Sequence, residues 1–307
     1  MKIALPDLIS NSYFPAAAAV ELGFFKAEGL DLALELIFPV DKAYQALRDG
    51  AVDFVAGSAH SALAAFPRWQ GVKLLCAQGQ GMYWFLVMHK KFGAARGDLS
   101  VVKGKSIGAA PWVDMGLKQL LIAGGVDLAR DQVTIAPVPG AQGAGVNFGV
   151  TAAKALEDGK IDGFWANGMG TEVAVKRGVG TVVIDVRRGD GPKECFNYTM
   201  ASIATTDKLI ARAPEQAAAA IRAIVKTQAA LQQDVSRATL VGRKLFPPEE
   251  AELIAELIRR DLPYYDPSIS RDFVSGMNQF ARAAGILDGD KRYEDVVATQ
   301  FADLWRR

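Results

Sequence analysis

The chain has little of what metal chemistry, thiol chemistry or nucleic-acid binding asks for. Its 307 residues include two cysteines and two histidines. Cys76 and Cys195 each lie in an apolar, strand-like run, which reads as small buried side chains rather than a nucleophile or a ligand. His60 and His89 have no second ligand nearby in sequence, so no metal site is expected. Basic and acidic residues nearly cancel, 35 against 34. With no basic run and no stripe of aromatics and arginines, nucleic acid is excluded as a partner. No apolar run approaches the ~20 residues that cross a bilayer. The opening "MKIALPDLIS" has too short an apolar stretch before Pro6-Asp7 for a secretory signal. Three readings stay open there: a mature form with an added Met, a misplaced start, or a cytoplasmic protein.

What the chain does have is a phrase written twice. "ALRDGAVDFVAGSAH" at 46–60 returns as "ALEDGKIDGFWANGM" at 155–169. Ala-Leu is strongly helix-forming, the glycine suits the left-handed residue that ends a helix, and the apolar run after it reads as a short buried strand. Each copy therefore predicts helix, glycine stop, strand, and a loop at the strand's carboxyl end, the edge where open α/β sheets bind ligands. Two copies predict two similar lobes, with Ser58 in the place of Asn167.

The rest of the chain fits that scheme. Strands are predicted at 2–5, 30–38, 72–79, 83–91 and 180–186, with helices between them. The Gly/Ala/Arg segment "FGAARGDLS" reads as a lobe boundary, after which the order of elements starts again. The extended run "KECFNYTMASIAT" at 193–205 reads as the return to the first lobe, and almost everything from 207 has helical period. Crossings are thus expected near 88–92 and 192–198. The expected lobes are 1–89 with 196–307, and 90–195, hinged as a clamp.

"YFPAAAAVELGFFKAEGLDLAL", followed in order by "ALRDGAVDFVAG", "DLSVVKGKSIGAA" and "ALEDGKIDGFWAN", resembles type II periplasmic solute-binding proteins of the nitrate, sulfonate, taurine and thiamine-pyrimidine branch. The resemblance covers essentially the whole chain. It implies a two-lobed α/β fold of the type II periplasmic-binding-protein kind, with two hinge-crossing strands and a helical C-terminal region. It also implies a monomeric receptor, without a cofactor, that delivers a small molecule to an ABC permease of the inner membrane. A periplasmic location goes with that role, and a cytoplasmic one is the alternative. One departure bears on the ligand. Where anion-binding members carry a hydroxyl-rich turn at a helix start, this chain reads Pro111-Trp112-Val113-Asp114. Pro111 has no N–H and Asp114 would repel an anion.

The expected ligand site takes one residue from each strand-end loop. Tyr13 follows the first strand and offers a ring. Ser58 and His60 follow the first copy of the phrase, and Trp112 and Asp114 follow the first strand of the second lobe. Trp165 and Asn167 close the second copy, where the Asn amide can both donate and accept. Tyr198 lies on the return crossing beside Asn197, and alternation along a strand lets only one of the two face the cleft. Gln142, Asn147 and Phe148, in the glycine-rich loop 140–149, are expected to reshape one wall. His89 is expected to be structural. These aromatics predict a planar organic ligand with one or two polar groups rather than a simple inorganic anion. The rival functions are an enzyme on the same scaffold using His60 with Asp114 as acid and base, a sulfonate- or nitrate-type anion binder, and a ligand-sensing domain.

Overall fold

The computed structural model describes residues 1–143 and 145–306; Ala144, inside the glycine-rich loop, lies outside the described residues. Among the described residues, ten strands form two five-stranded sheets of the same design. The first has the order β2 (Ala33–Leu36), β1 (Lys2–Leu5), β3 (Phe54–Ser58), β10 (Ala201–Thr206), β4 (Val72–Gly79). The second has the order β7 (Thr134–Ala136), β6 (Ser106–Ala109), β8 (Gly163–Ala166), β5 (Phe85–His89), β9 (Gly180–Asp185). In each sheet the first three strands are parallel, and the fourth runs antiparallel to both neighbours.

The helices are α1 (Phe14–Glu21), α2 (Phe24–Ala27), α3 (Val40–Arg48), α4 (Asp114–Ala123), α5 (Phe148–Glu157), α6 (Gly168–Lys176), α7 (Asp207–Arg212), α8 (Pro214–Gln233), α9 (Arg237–Leu245), α10 (Pro248–Asp261), α11 (Arg271–Ala283) and α12 (Tyr293–Val296). α8 packs on α1, α2 and β4, whereas α10 packs on α9 and reaches across to α6 of the second lobe. The helical C-terminal region is therefore a buttress of the first lobe with one arm on the second.

The repeated phrase marks equivalent places. α3 leads to β3 and α5 to β8, and each of these strands is the middle one of its sheet. Gly50 and Gly159 both have positive φ, 76° and 69°. The amides beyond them reach back to the helix, Ala51 to the Ala46 carbonyl and Lys160 to the Ala155 carbonyl, both at 2.9 Å. This is a glycine helix stop in which orphan carbonyls are satisfied. The aspartate of each copy has one task as well. Asp53 accepts from the amide of Lys2, the first residue of β1, at 2.9 Å, and Asp162 accepts from Ser106, the first residue of β6, at 3.0 Å. Each copy thus ends a helix and pins the start of the neighbouring parallel strand.

The crossings fall elsewhere than expected. β5 is hydrogen-bonded into the second sheet, so the chain leaves the first lobe over residues 80–84 rather than 88–92. The boundary placed after residue 89 is one strand too late. The return runs over 186–200 and carries two 3₁₀ turns (Val186–Arg188 and Lys193–Asn197) rather than an extended strand. The two crossings touch: the amide of Met82 donates to the Phe196 carbonyl at 3.0 Å, and the Phe196 ring lies against Gly81, whose φ is 75°. A side chain at Gly81 would be both strained and blocked. His89 accepts from the Lys91 amide in a turn, consistent with its expected structural role.

Candidate functional site

The carboxyl ends of the central strands of both sheets face each other across a cleft. From the first lobe come Pro6, Asp7, Ser10, Ser12 and Tyr13, with Phe38 and Val40. The second lobe contributes Ala110, Val113, Phe148, Ala166 and Asn167, and the first crossing contributes Trp84. The free space is ≈ 30 Å³. That holds a water or two, whereas benzene occupies an engineered cavity of about 150 Å³. The lobes are therefore closed on one another, and a ring can enter only if they part.

Polar groups bridge the cleft. Asn167 caps α6, accepting from the Gly170 amide at 3.0 Å, and its Nδ2 donates to Asp7 Oδ2 at 2.7 Å. Asn147, just before α5, accepts from the Ile9 amide at 3.3 Å. The starts of α5 and α6 converge because both are glycines at the contact. A Cβ on Gly149 would stand 2.6 Å from Asn167 Oδ1, and one on Gly170 would strike the Gly149 backbone. Asp7 is 7 % exposed, and among the described residues no hydrogen bond of good geometry reaches its Oδ1. Burial pushes its pKa up to about 8, although the Gly149 amide, the Asn167 side chain and the amides of Phe148 and Ile9 pull it down.

Two of the eight expected residues line this cleft, Tyr13 and Asn167. Tyr13 shares a hydrogen bond with the Tyr83 hydroxyl at 3.0 Å, and its ring meets Tyr83 edge-on. The other six are placed differently. Ser58 is fully buried beneath the loop, bonded to the Ser61 hydroxyl at 2.6 Å. Trp165 is fully buried in β8, edge-on to Trp84, because it alternates with Ala166, which takes the cleft side. Tyr198 stacks on Phe280 of α11 at 4.9 Å, and Asn197 packs against Gly276 of the same helix. Asp114 starts α4 and pairs with Lys118 at 2.6 Å. Trp112 has a φ of 70° and packs onto the core of the opposite lobe.

His60 is a clasp between lobes. Its Nδ1 is 2.9 Å from the Thr199 hydroxyl and its Nε2 is 3.0 Å from the Trp112 carbonyl. A carbonyl only accepts, so Nε2 carries the proton and Nδ1 accepts from Thr199. The ring lies among Phe280, Trp84 and Trp112, and burial pushes its pKa down to about 4. His60 and Asp114 thus have separate hydrogen-bond partners.

Sequence reasoning missed Asp7, Phe38 and Trp84. Asp7 follows Pro6 just beyond the first strand, at the edge where a site residue belongs, and its position after β1 is the signal that points to it. Phe148, expected to reshape a wall, stacks on Phe38 at 6.0 Å and lines the cleft. Asn147 bridges the lobes. The aromatic wall therefore consists of Tyr13, Phe38, Trp84 and Phe148. A larger cavity of ≈ 300 Å³ lies beyond Asn11 and Gly168. Its arginines are already matched by acids: Arg187 with Asp261, Arg96 with Asp190, Arg188 with Asp185 and Arg260 with Glu172. Among the described residues, no group of His, Cys, Asp and Glu is arranged to hold a metal ion.

The fold is shared with known structures. A protein from Bordetella bronchiseptica RB50 matches with a TM-score of 0.76 at 22% identity, over 98% of this chain and 95% of that one. The putative periplasmic sulfonate-binding protein SsuA of a sulfonate ABC transporter from Methylobacillus flagellatus KT matches with a TM-score of 0.68 at 17% identity, over 99% and 92%. The desulfurization enzyme DSZB also matches, with a TM-score of 0.64 at 13% identity, over 98% and 97%. No match to the sequence is found among curated proteins. The model of the family described as NMT1/THI5 like matches residues 11–235, which take in the second sheet, the first sheet apart from β1, and the cleft residues from Ser12 onward, and the chain belongs to that family.

Proposed function

We propose that the chain is the solute-binding component of an ABC-type importer, which encloses a small organic ligand with a planar ring between its two lobes. The observation that carries this reading is the cleft itself. Strand-end loops of two similar sheets supply one aromatic-walled site, and two short, touching crossings are the only backbone links between the sheets among the described residues. Ring burial and stacking favour a planar ligand there by about 1 kcal/mol per good ring pair beyond the area term, which a small hydrated anion does not gain. The role implies a permease partner in the inner membrane, a periplasmic location and a monomeric receptor. Binding without turnover is favoured because His60, the obvious base, is consumed by Thr199 and the Trp112 carbonyl, while Asp114 is held by Lys118.

Thermal-shift screening of ring compounds against nitrate, sulfate and taurine tests the reading, followed by recovery of the bound compound. Stabilisation by ring compounds, weakened about tenfold in affinity by Trp84→Ala and returning unchanged ligand, is expected. Stabilisation by an anion alone, or chemical conversion of the ligand lost in His60→Ala, would overturn it.

A further inference from the structure

Among the described residues, Asp7 is the only formally charged one lining the cleft; no lysine, arginine or histidine accompanies it. It stands opposite the starts of α5 and α6, where backbone amides and the Asn167 side chain already give it favourable neighbours. An incoming anion would find that place taken by a carboxylate. Two acceptors are nevertheless under-used: Asp7 Oδ1 and Ser12 Oγ are both buried, both belong to lining residues, and among the described residues no hydrogen bond of good geometry reaches either, although amides of Gly149, Phe148 and Ile9 act on the Asp7 carboxyl. A buried acceptor left unpaired is costly, and a ligand that supplies N–H donors removes that cost on binding. The aromatic wall takes a ring, and the unpaired oxygens take donors on its edge.

Resting on the proposed binding role, we infer that Asp7 determines specificity. The ligand's ring carries a protonated nitrogen whose N–H groups are accepted by Asp7 Oδ1 and Ser12 Oγ. The positive charge replaces the proton or the solvent that an isolated buried carboxylate otherwise needs. Charge of the other sign is rejected because Asp7 already occupies the amides at the starts of α5 and α6, and no cationic side chain is among the described lining residues. Asn167 then acts as a positioning residue, holding the second Asp7 oxygen.

Titration calorimetry with three probes of similar shape, benzamidinium, benzyl alcohol and benzoate, tests this on the wild type, Asp7→Asn and Ser12→Ala at neutral pH. Thermal melts of each variant serve as the folding control. Benzamidinium should bind the wild type about 10- to 100-fold more tightly than the other two, the usual gain for a charge-assisted pair. Asp7→Asn should erase that preference, and Ser12→Ala should weaken benzamidinium several-fold, more than it weakens benzyl alcohol. Benzoate binding as tightly as benzamidinium, a preference that survives Asp7→Asn, or no benzamidinium binding while other ring compounds of the screen bind overturns the inference alone. A screen in which no ring compound binds overturns the solute-binding role with it.

Discussion

Raising the pH should open the unliganded chain, and Asp7 sets the size of the effect. In the closed form its pKa is about 8, against an ordinary 3.8 that the open, hydrated cleft would restore. The closed form therefore binds a proton that the open form does not, so closure is favoured at low pH and lost as pH rises from about 4 to about 8. Each unit is worth about 1.4 kcal/mol, so near pH 7 the closed form is disfavoured by on the order of 4 kcal/mol, or about a thousandfold, relative to a neutral side chain. Above pH 8 the effect is complete. The groups that act on the Asp7 carboxyl are backbone amides and the Asn167 amide, none of them titratable, and the Tyr13 hydroxyl, on which Asp7 acts, is kept protonated by burial. Dyes on cysteines introduced at Ile122 and Leu240, exposed on opposite lobes, report the opening by energy transfer. Native Cys76 and Cys195 are buried and do not compete for label. The wild type should shift toward the open distance between about pH 4 and about pH 8. Asp7→Asn, which keeps an oxygen for Asn167, should stay closed throughout. The same pH response in the variant, or none in the wild type, would refute the reasoning.

Two further predictions concern stability. His60 is neutral when buried and has a pKa of about 4 against the usual 6.5, so folding loses stability as pH falls between those values, by on the order of 3 kcal/mol at pH 4. The difference in melting temperature between wild type and His60→Gln should change over that window and be flat above it; a constant difference would contradict the clasp. Asp53→Ala and Asp162→Ala each remove a carboxylate from the first amide of a parallel strand, and each should cost about 1–3 kcal/mol in urea unfolding. A cost confined to one of them would break the equivalence of the two copies.

The doubled phrase made the two-sheet plan legible because each copy carries a complete local instruction: end the helix at Gly50 or Gly159, then pin the next strand with Asp53 or Asp162. Sheet membership is not local. β5 is apolar up to His89, and its place beside β8 and β9 follows from partners about 75 to 100 residues away. The site was half legible for a related reason. Loop position found Tyr13 and Asn167. It does not tell that Trp165 faces the core while Ala166 faces the cleft, or that a positive φ turns Trp112 onto the other lobe. Asp7 was readable from its place after β1, but its importance depends on a burial that only the closed lobes create.

The central claim is a clamp that closes on a ring-bearing ligand by bending at residues 80–84 and 186–200. Small-angle scattering at neutral pH, with and without a saturating ring compound from the thermal screen, tests it most directly. The account predicts that the unliganded radius of gyration exceeds that of the closed structure and falls toward it on ligand addition. An unliganded radius equal to the closed one and unchanged by the ligand would contradict it.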